Sequence, residues 1–274
     1  ILRAFGVALA LTGLLYSITQ GTNKGVFDFS IVLISSVWAK SKFYQFNAQS
    51  NRSRGSISRF VIIVAVLFGF LWYFSNTMGS RGGDVSYITT VDGLGRITID
   101  YAVQIMAENS PLYYAYVWLS SYVTQGFYGF SIALGQTFDS SFGVGNSVFL
   151  TRNFEALLGV DIQNLTYQRK ITSIWDESAQ WHSMYSYFAN DFGFFGVVGV
   201  CIWIGYIQAR AWARFLSQGC IWSGALVVLF FVLTIFIPAN NQIFGFLDGL
   251  SSFVFLWLLA FVDWKGFFRK LANS

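Results

Sequence analysis

Charged side chains are scarce in this sequence of 274 residues. Asp, Glu, Lys and Arg together make up 11% of the chain, whereas hydrophobic residues make up 55%. Soluble domains contain about 25% charged residues, so the composition indicates that water is not the only solvent of this protein. Several apolar runs also approach the length of about 20 residues that a helix needs to cross the hydrocarbon core of a bilayer.

Histidine and cysteine are nearly absent. His182 is the only histidine, and Cys201 and Cys220 lie at or inside apolar runs, where a thiol behaves as a small hydrophobic group. No HExxH, DxD or paired Cys/His spacing occurs, so we predict no metal site and no other cofactor. A basic face interleaved with exposed aromatic residues is also missing, which argues against nucleic acid as a partner.

Six apolar segments predict an all-α integral membrane protein, a polytopic helical bundle, because lipid would leave the edges of an open sheet unpaired. The predicted membrane-spanning segments are Leu2–Thr19, Phe27–Ala39, Phe60–Thr77, Phe188–Gln208, Cys220–Ile237 and Ile243–Val262. Lys and Arg cluster after the second, fourth and sixth of them. Such clusters accumulate on the cytoplasmic side. These three clusters lie on the same side only if the apolar stretch 112–134, which contains several polar residues and glycines, does not cross the membrane.

The chain therefore divides into three parts. Residues 1–77 are expected to form three transmembrane helices, with a cytoplasmic basic loop at 40–59. Residues 78–187 would form a large region on the opposite side, with 112–134 as a re-entrant or interfacial segment. Residues 188–274 would supply three more helices and a cytoplasmic tail. Because the chain opens inside an apolar run, we expect further helices before Ile1. Long loops on rigid scaffolds tend to carry function, so chemistry is expected within 78–187.

His182 is the first candidate for chemistry, because an imidazole can accept and return a proton near neutral pH. On a continuous helix, Gly193 and Gly196 would lie on the same face as His182, whereas Asp191 would lie opposite and act as a cap or first-turn anion. A lone histidine beside Trp181 is equally well explained as an anchor at headgroup depth, with the glycines permitting close packing. The residues alone leave both interpretations open.

Three basic residues are the second candidates. Arg152, Arg169 and Lys170 lie in a region that is otherwise acidic, and a guanidinium group matches phosphate oxygens in a bidentate way. They suit a lipid diphosphate at the membrane surface. The alternative is ion pairing with neighbours such as Glu155 or the acidic pair 176–177.

Four further residues are candidates for sugar binding. Asp176 and Glu177 are close in sequence to His182, and their carboxylates could accept hydrogen bonds from sugar hydroxyls, orient the imidazole, or simply be solvated. Trp181 and Tyr185 could line a carbohydrate path, although most aromatic residues in such a chain face lipid or the interface.

The pattern around the histidine resembles a known family. The spacing from His182-Ser183 to Gly193 and Gly196 is similar to that in bacterial O-antigen polymerases (Wzy-type) and O-antigen ligases. The upstream sequence FGVGN at 142–146, followed by Arg152 and the basic pair 169–170, strengthens the resemblance. The version NDFGFFG and the lack of an obvious lipid A-binding feature favour the polymerase branch.

This resemblance implies a GT-C-like, metal-independent glycosyltransferase in the bacterial inner membrane, with its active site facing the periplasm. Its substrate would be an undecaprenyl-diphosphate-linked oligosaccharide, and its other partners the lipid bilayer, a chain-length regulator and a flippase. His182 would activate the acceptor hydroxyl, while Arg152 and Arg169, joined by Lys170, would hold the diphosphate.

Two rival functions remain. A flippase or transporter for a lipid-linked sugar would show paired halves or interrupted helices at matched positions, and the sequence shows neither. A transferase that adds a single sugar would use an outward carboxylate such as Asp84 or Asp92 as its base.

Overall fold

The computed structural model describes residues 23–47, 56–82, 113–178 and 180–261. Its helices are α1 (Asn23–Asn47), α2 (Ser56–Gly82), α3 (Tyr113–Ala133), α4 (Val148–Leu158), the four-residue α5 (Tyr167–Lys170), α6 (Met184–Gln218), α7 (Ile221–Phe236) and α8 (Leu247–Phe261), with a 3₁₀ turn at Gln163–Leu165. These ranges contain no strand, so the all-α class is confirmed for the described part of the chain. The expected span Leu2–Thr19 and the rival residues Asp84 and Asp92 lie outside the described residues.

Five of the six apolar segments predicted from the sequence coincide with helices, namely α1, α2, α6, α7 and α8. Among the described helices, only α6 is both long and apolar enough to cross a bilayer. Ile63–Thr77 within α2, together with α7 and α8, are apolar but shorter. The number of membrane crossings therefore stays a prediction.

Helix α7 lies at the centre of the packed core. Apart from Ser223 and Thr234 its residues are apolar, which is typical of a helix that packs against several neighbours. Its side chains Leu226, Val227, Phe230, Leu233 and Phe236 are buried, and it packs against α1, α6 and α8. Helix α2 packs against both α1 and α3. Helix α1 thus lies between α2 and α7, and α6 contacts α1 and α3 as well as α7.

Within the segment 112–134, expected to be re-entrant or interfacial, Tyr113–Ala133 forms one continuous helix, α3. At Gly126 this helix touches the backbone of two other segments: a Cβ added there would lie 1.7 Å from the Pro238 carbonyl oxygen and 2.9 Å from the Ser183 nitrogen. The Ser183 N–H donates to the Gly126 carbonyl oxygen at 3.3 Å. Only glycine permits this approach, which brings α3 against the residues that precede α6 and follow α7.

Helix α6 is interrupted at Gly193, which has φ 64° and ψ 169°. This backbone conformation is essentially restricted to glycine, and it separates a short first segment, Met184–Phe192, from a long second one. His182 also lies before the N-cap residue Ser183. The expectation that His182, Gly193 and Gly196 share one continuous helical face is therefore wrong.

Candidate functional site

A tight loop at 141–146 encloses the side chain of Asp191. Oδ1 of this carboxylate accepts hydrogen bonds from the Ser141 hydroxyl (2.7 Å) and from the N–H groups of Gly143 and Gly145 (both 3.0 Å). Oδ2 accepts from the Asn146 N–H (2.9 Å) and the Asn146 side-chain amide (2.7 Å). The loop can converge its N–H groups because Phe142 and Gly143 both have positive φ, an arrangement that favours anion binding.

The role of Asp191 in the structure differs from the one expected from the sequence. The residue lies at the end of the first segment of α6, not at its start, so it neither caps the helix nor occupies its first turn. Asp191 is 8% exposed, and burial of a charged group is tolerated when it is fully hydrogen-bonded. Asp191 therefore fastens the loop 141–146 to α6.

The neighbouring residue Asn190 fixes a second set of contacts. Its Oδ1 accepts from the Tyr167 N–H (2.9 Å), so its Nδ2 donates to the Gly145 carbonyl oxygen (2.8 Å) and to Gln168 Oε1 (2.9 Å). This pattern defines the orientation of both side-chain amides. Gln168 is 5% exposed, and its Nε2 has no hydrogen-bond partner within the described ranges. A buried donor of this kind is a strong candidate to bind a ligand.

Arg152 and Gln168 line the same cavity, which has a volume of about 200 Å³ and which we call the Arg152 cavity. Its other polar lining residues include Glu177, Ser178 and Tyr187. Arg152 is exposed on α4, and no carboxylate of the described residues lies within ion-pair distance of it. The alternative partner Glu155 instead accepts from the backbone and side chain of Gln163, both at 2.6 Å.

Arg169 and Lys170 are engaged in ion pairs. Arg169 Nη1 lies 2.9 Å from Glu177 Oε1, and Lys170 Nζ lies 2.8 Å from Asp139 Oδ2. Arg169 lines a neighbouring cavity of about 360 Å³ that shares Gln163 with the Arg152 cavity. The structure therefore places Arg169 beside the Arg152 cavity without lining it, and it directs Lys170 toward Asp139.

His182 is buried, with 2% of its surface exposed, and does not line the Arg152 cavity. It packs against α3, where a Cβ added at Gly129 would lie 3.3 Å from its Nδ1. Neither ring nitrogen has a hydrogen-bond partner in the described part of the chain. Burial lowers the pKa of His182 from 6.5 to about 4, although nearby Asp176 opposes the shift. The imidazole is consequently neutral at pH 7.

The four candidates for sugar binding separate in the structure, and only Glu177 lines the Arg152 cavity. Asp176 Oδ1 accepts from the backbone N–H and the hydroxyl of Ser178, both at 2.8 Å, and these two hydrogen bonds hold the pKa of Asp176 below its usual range. Trp181 and Tyr185 are partly buried and pack against the hydrophobic core.

Sequence reasoning missed Gln168, Tyr187 and Asn190 and misassigned Asp191. The sequence did indicate a partner for Asp191, because a glycine-rich loop such as FGVGN offers backbone N–H groups that can donate hydrogen bonds to a carboxylate. Gln168 had no such signal, since its role depends on the orientation that Asn190 imposes.

Comparison with models of known families, with curated proteins and with solved structures found no match to this chain. Among the described residues, no group of three or more His, Cys, Asp or Glu side chains could hold a metal ion. The features that bear on function are therefore the Arg152 cavity, the buried histidine and the apolar helices.

Proposed function

We propose that the chain is a membrane glycosyltransferase that polymerises undecaprenyl-diphosphate-linked oligosaccharide repeat units into O-antigen or a related surface polysaccharide. The observation that carries this proposal is the guanidinium of Arg152 at a polar cavity that Gln168 also lines. Among the described residues, this guanidinium has no ion-pair partner and the Nε2 of Gln168 has no hydrogen-bond partner. A guanidinium group and an amide donor together suit the oxygens of a diphosphate. The site would face the periplasm from the bacterial inner membrane.

The exposed surface of the helices supports placement in a membrane. Along the second segment of α6, Phe195 is 98% exposed, and Val198 and Ile202 are also exposed. Phe68 of α2 and Ile221 of α7 are exposed as well. Water-soluble proteins rarely expose so many large apolar side chains, whereas a bilayer accommodates them.

In the proposed reaction an acceptor hydroxyl attacks the anomeric carbon of the lipid-linked sugar. The bond from that carbon to the diphosphate oxygen breaks, and the diphosphate leaves with the electron pair. Arg152 and Gln168 stabilise the negative charge that develops on it, which is usually a large catalytic term. Undecaprenyl diphosphate and a lengthened glycan are the products.

The proton of the acceptor hydroxyl passes to His182 in this proposal. The imidazole is neutral, as a base must be, and neither of its nitrogens has a hydrogen-bond partner among the described residues. Burial disfavours the protonated form, so His182 would act as a base only once it reaches the polar cavity. His182 follows the cavity-lining residues Glu177 and Ser178 by only a few positions, and substrate binding would need to shift 176–182 to bring it into the cavity. Glu177, which lines the cavity, is the alternative base.

The test is an assay in isolated membranes with an undecaprenyl-diphosphate-linked repeat unit. Arg152→Gln should lower the rate by about 10²–10³-fold, and His182→Ala by about 10²–10⁴-fold, with protein levels matched. Asn153→Ala, at the adjacent exposed position on α4, serves as the control and should retain the wild-type rate. Glu177→Gln distinguishes the two candidate bases.

The products of the assay distinguish the rival functions. A polymerase yields a ladder of chain lengths, and a transferase for one sugar yields a single addition. A ligase requires a lipid A-core acceptor, and a flippase moves the substrate without changing it. A normal ladder from Arg152→Gln would contradict the proposed site.

A further inference from the structure

A third cavity lies near the opposite end of α6 from the candidate site. Its volume is about 330 Å³, and its lining includes Arg210, Arg214 and Ser217 of α6 together with Phe261 of α8. No charged residue occurs between Phe194 and Arg210, a rise of about 24 Å along a helix. The hydrocarbon core of a bilayer is about 30 Å thick, so this cavity lies near the far membrane boundary.

The two arginines of this cavity lack carboxylate partners. Neither guanidinium is in an ion pair with any described residue, and Nε of Arg214 is buried without a hydrogen-bond acceptor. Arg210 instead contacts aromatic rings, with its Cζ 5.7 Å from the centre of the Tyr206 ring and 5.2 Å from that of Phe261.

The position of these residues in the proposed membrane helix explains their charge but not the burial of Arg214 Nε. Lys and Arg accumulate on the cytoplasmic side of membrane proteins, whereas the dipole of α6 favours a cation only in its last turn, which contains neither arginine. Neither effect supplies an acceptor for the buried Nε of Arg214, and an unsatisfied buried donor is costly. A ligand that carries acceptor oxygens would satisfy it.

We propose that this cavity binds the phosphate group of an anionic phospholipid such as phosphatidylglycerol. Arg210 and Arg214 are one turn apart on α6, so both guanidinium groups can reach one phosphate. Phe261 provides an apolar wall for the part of the lipid below the headgroup. Basic cavities between helices on the cytoplasmic side are known to bind anionic headgroups. The inference rests on the proposed membrane placement but not on transferase activity.

The experiment measures binding to the purified full chain in a zwitterionic detergent. The added probes are short-chain phosphatidylglycerol, short-chain phosphatidylcholine and inorganic phosphate. Phosphatidylglycerol should bind and raise the melting temperature, whereas the other two should have little effect. Arg210→Gln with Arg214→Gln should weaken phosphatidylglycerol binding about 30-fold, roughly fivefold for each arginine.

Three variants serve as controls. Lys42→Gln removes an exposed positive charge of α1 that does not line the cavity, and it should leave the affinity unchanged. Arg210→Lys with Arg214→Lys keeps both charges and should retain most of the binding. Arg210→Gln alone changes an exposed side chain, so it should fold even if the double variant does not, and should weaken binding about fivefold.

Several outcomes would overturn the proposal. Equal binding of phosphatidylglycerol and phosphatidylcholine would show that the headgroup charge is not recognised. Unchanged affinity in Arg210→Gln would remove the arginines from the site. An equal effect of inorganic phosphate would indicate a site for free anions and not for lipid. None of these results depends on glycan transfer, so the proposed function is tested independently by the membrane assay.

Discussion

At the scale of a single residue, the burial of His182 leads to a prediction about how the stability of the fold depends on pH. The pKa is about 4 in the folded protein and about 6.5 in the unfolded chain. Between these values the unfolded state binds a proton that the folded state does not, so stability falls as the pH is lowered below about 6.5. At pH 5 this residue should reduce the free energy of unfolding by about 2 kcal/mol relative to pH 7.

The measurement compares wild type with His182→Gln in unfolding experiments at pH 7 and pH 5. The variant cannot bind the proton, so it should lose about 2 kcal/mol less than wild type over this range. The same loss in both proteins would mean that the imidazole is solvated or paired in the folded state.

Asp191 gives a second prediction at the same scale. Replacing it with Asn removes the charge and turns an amide N–H₂ group toward the donors of the loop 141–146. We expect a loss of about 3 kcal/mol or more in the free energy of unfolding, and faster hydrogen exchange at the N–H groups of Gly143, Gly145 and Asn146. Asp161→Asn is the control, because Asp161 is exposed and bonds only within its own turn. Unchanged exchange at the three amides would contradict the role of Asp191.

The break in α6 leads to a prediction at the scale of the element. A Cβ added at Gly193 has room, since its nearest neighbour would be the Phe138 ring at 3.7 Å, so the cost of Gly193→Ala is purely conformational. We expect a loss of about 1–3 kcal/mol.

Gly199→Ala provides the matched comparison in the same helix. Gly199 has helical backbone angles and nothing within 4 Å of an added Cβ, so this change should stabilise the protein by about 0.5–1 kcal/mol. Thermal unfolding of the two variants in detergent measures the difference. Similar melting temperatures for both would argue for an uninterrupted helix.

The elements also show what hydrophobic patterns can and cannot predict. Long apolar runs predicted five helices correctly, because a helix that is buried, or that crosses a bilayer, needs a long run of apolar residues. The interruption at Gly193 was not predictable in this way, since glycine is common inside membrane helices. The pairing of Asp191 with 141–146 and of Arg169 with Glu177 depends on tertiary contacts that no local pattern contains.

At the scale of the whole molecule, the proposed orientation can be tested by cysteine labelling in intact cells. Cys201 and Cys220 are first replaced by alanine. Asn164→Cys, exposed near the candidate site, should react with a membrane-impermeant maleimide, whereas Gln218→Cys, exposed at the far end of α6, should react only after permeabilisation. The reverse pattern would place the Arg152 cavity in the cytoplasm.

If the proposed membrane placement holds, the interruption at Gly193 also affects how the protein responds to bilayer thickness. Met184–Phe192 is fastened to α5 through Asn190 and to the loop 141–146 through Asp191, while the second segment of α6 buries Ile204, Ile207 and Ala211 in the helical core. Helices adjust to bilayer thickness by tilting. We expect such tilting to change the angle between the two segments of α6 at Gly193. The Arg152 cavity would then keep its geometry in thick and thin membranes alike.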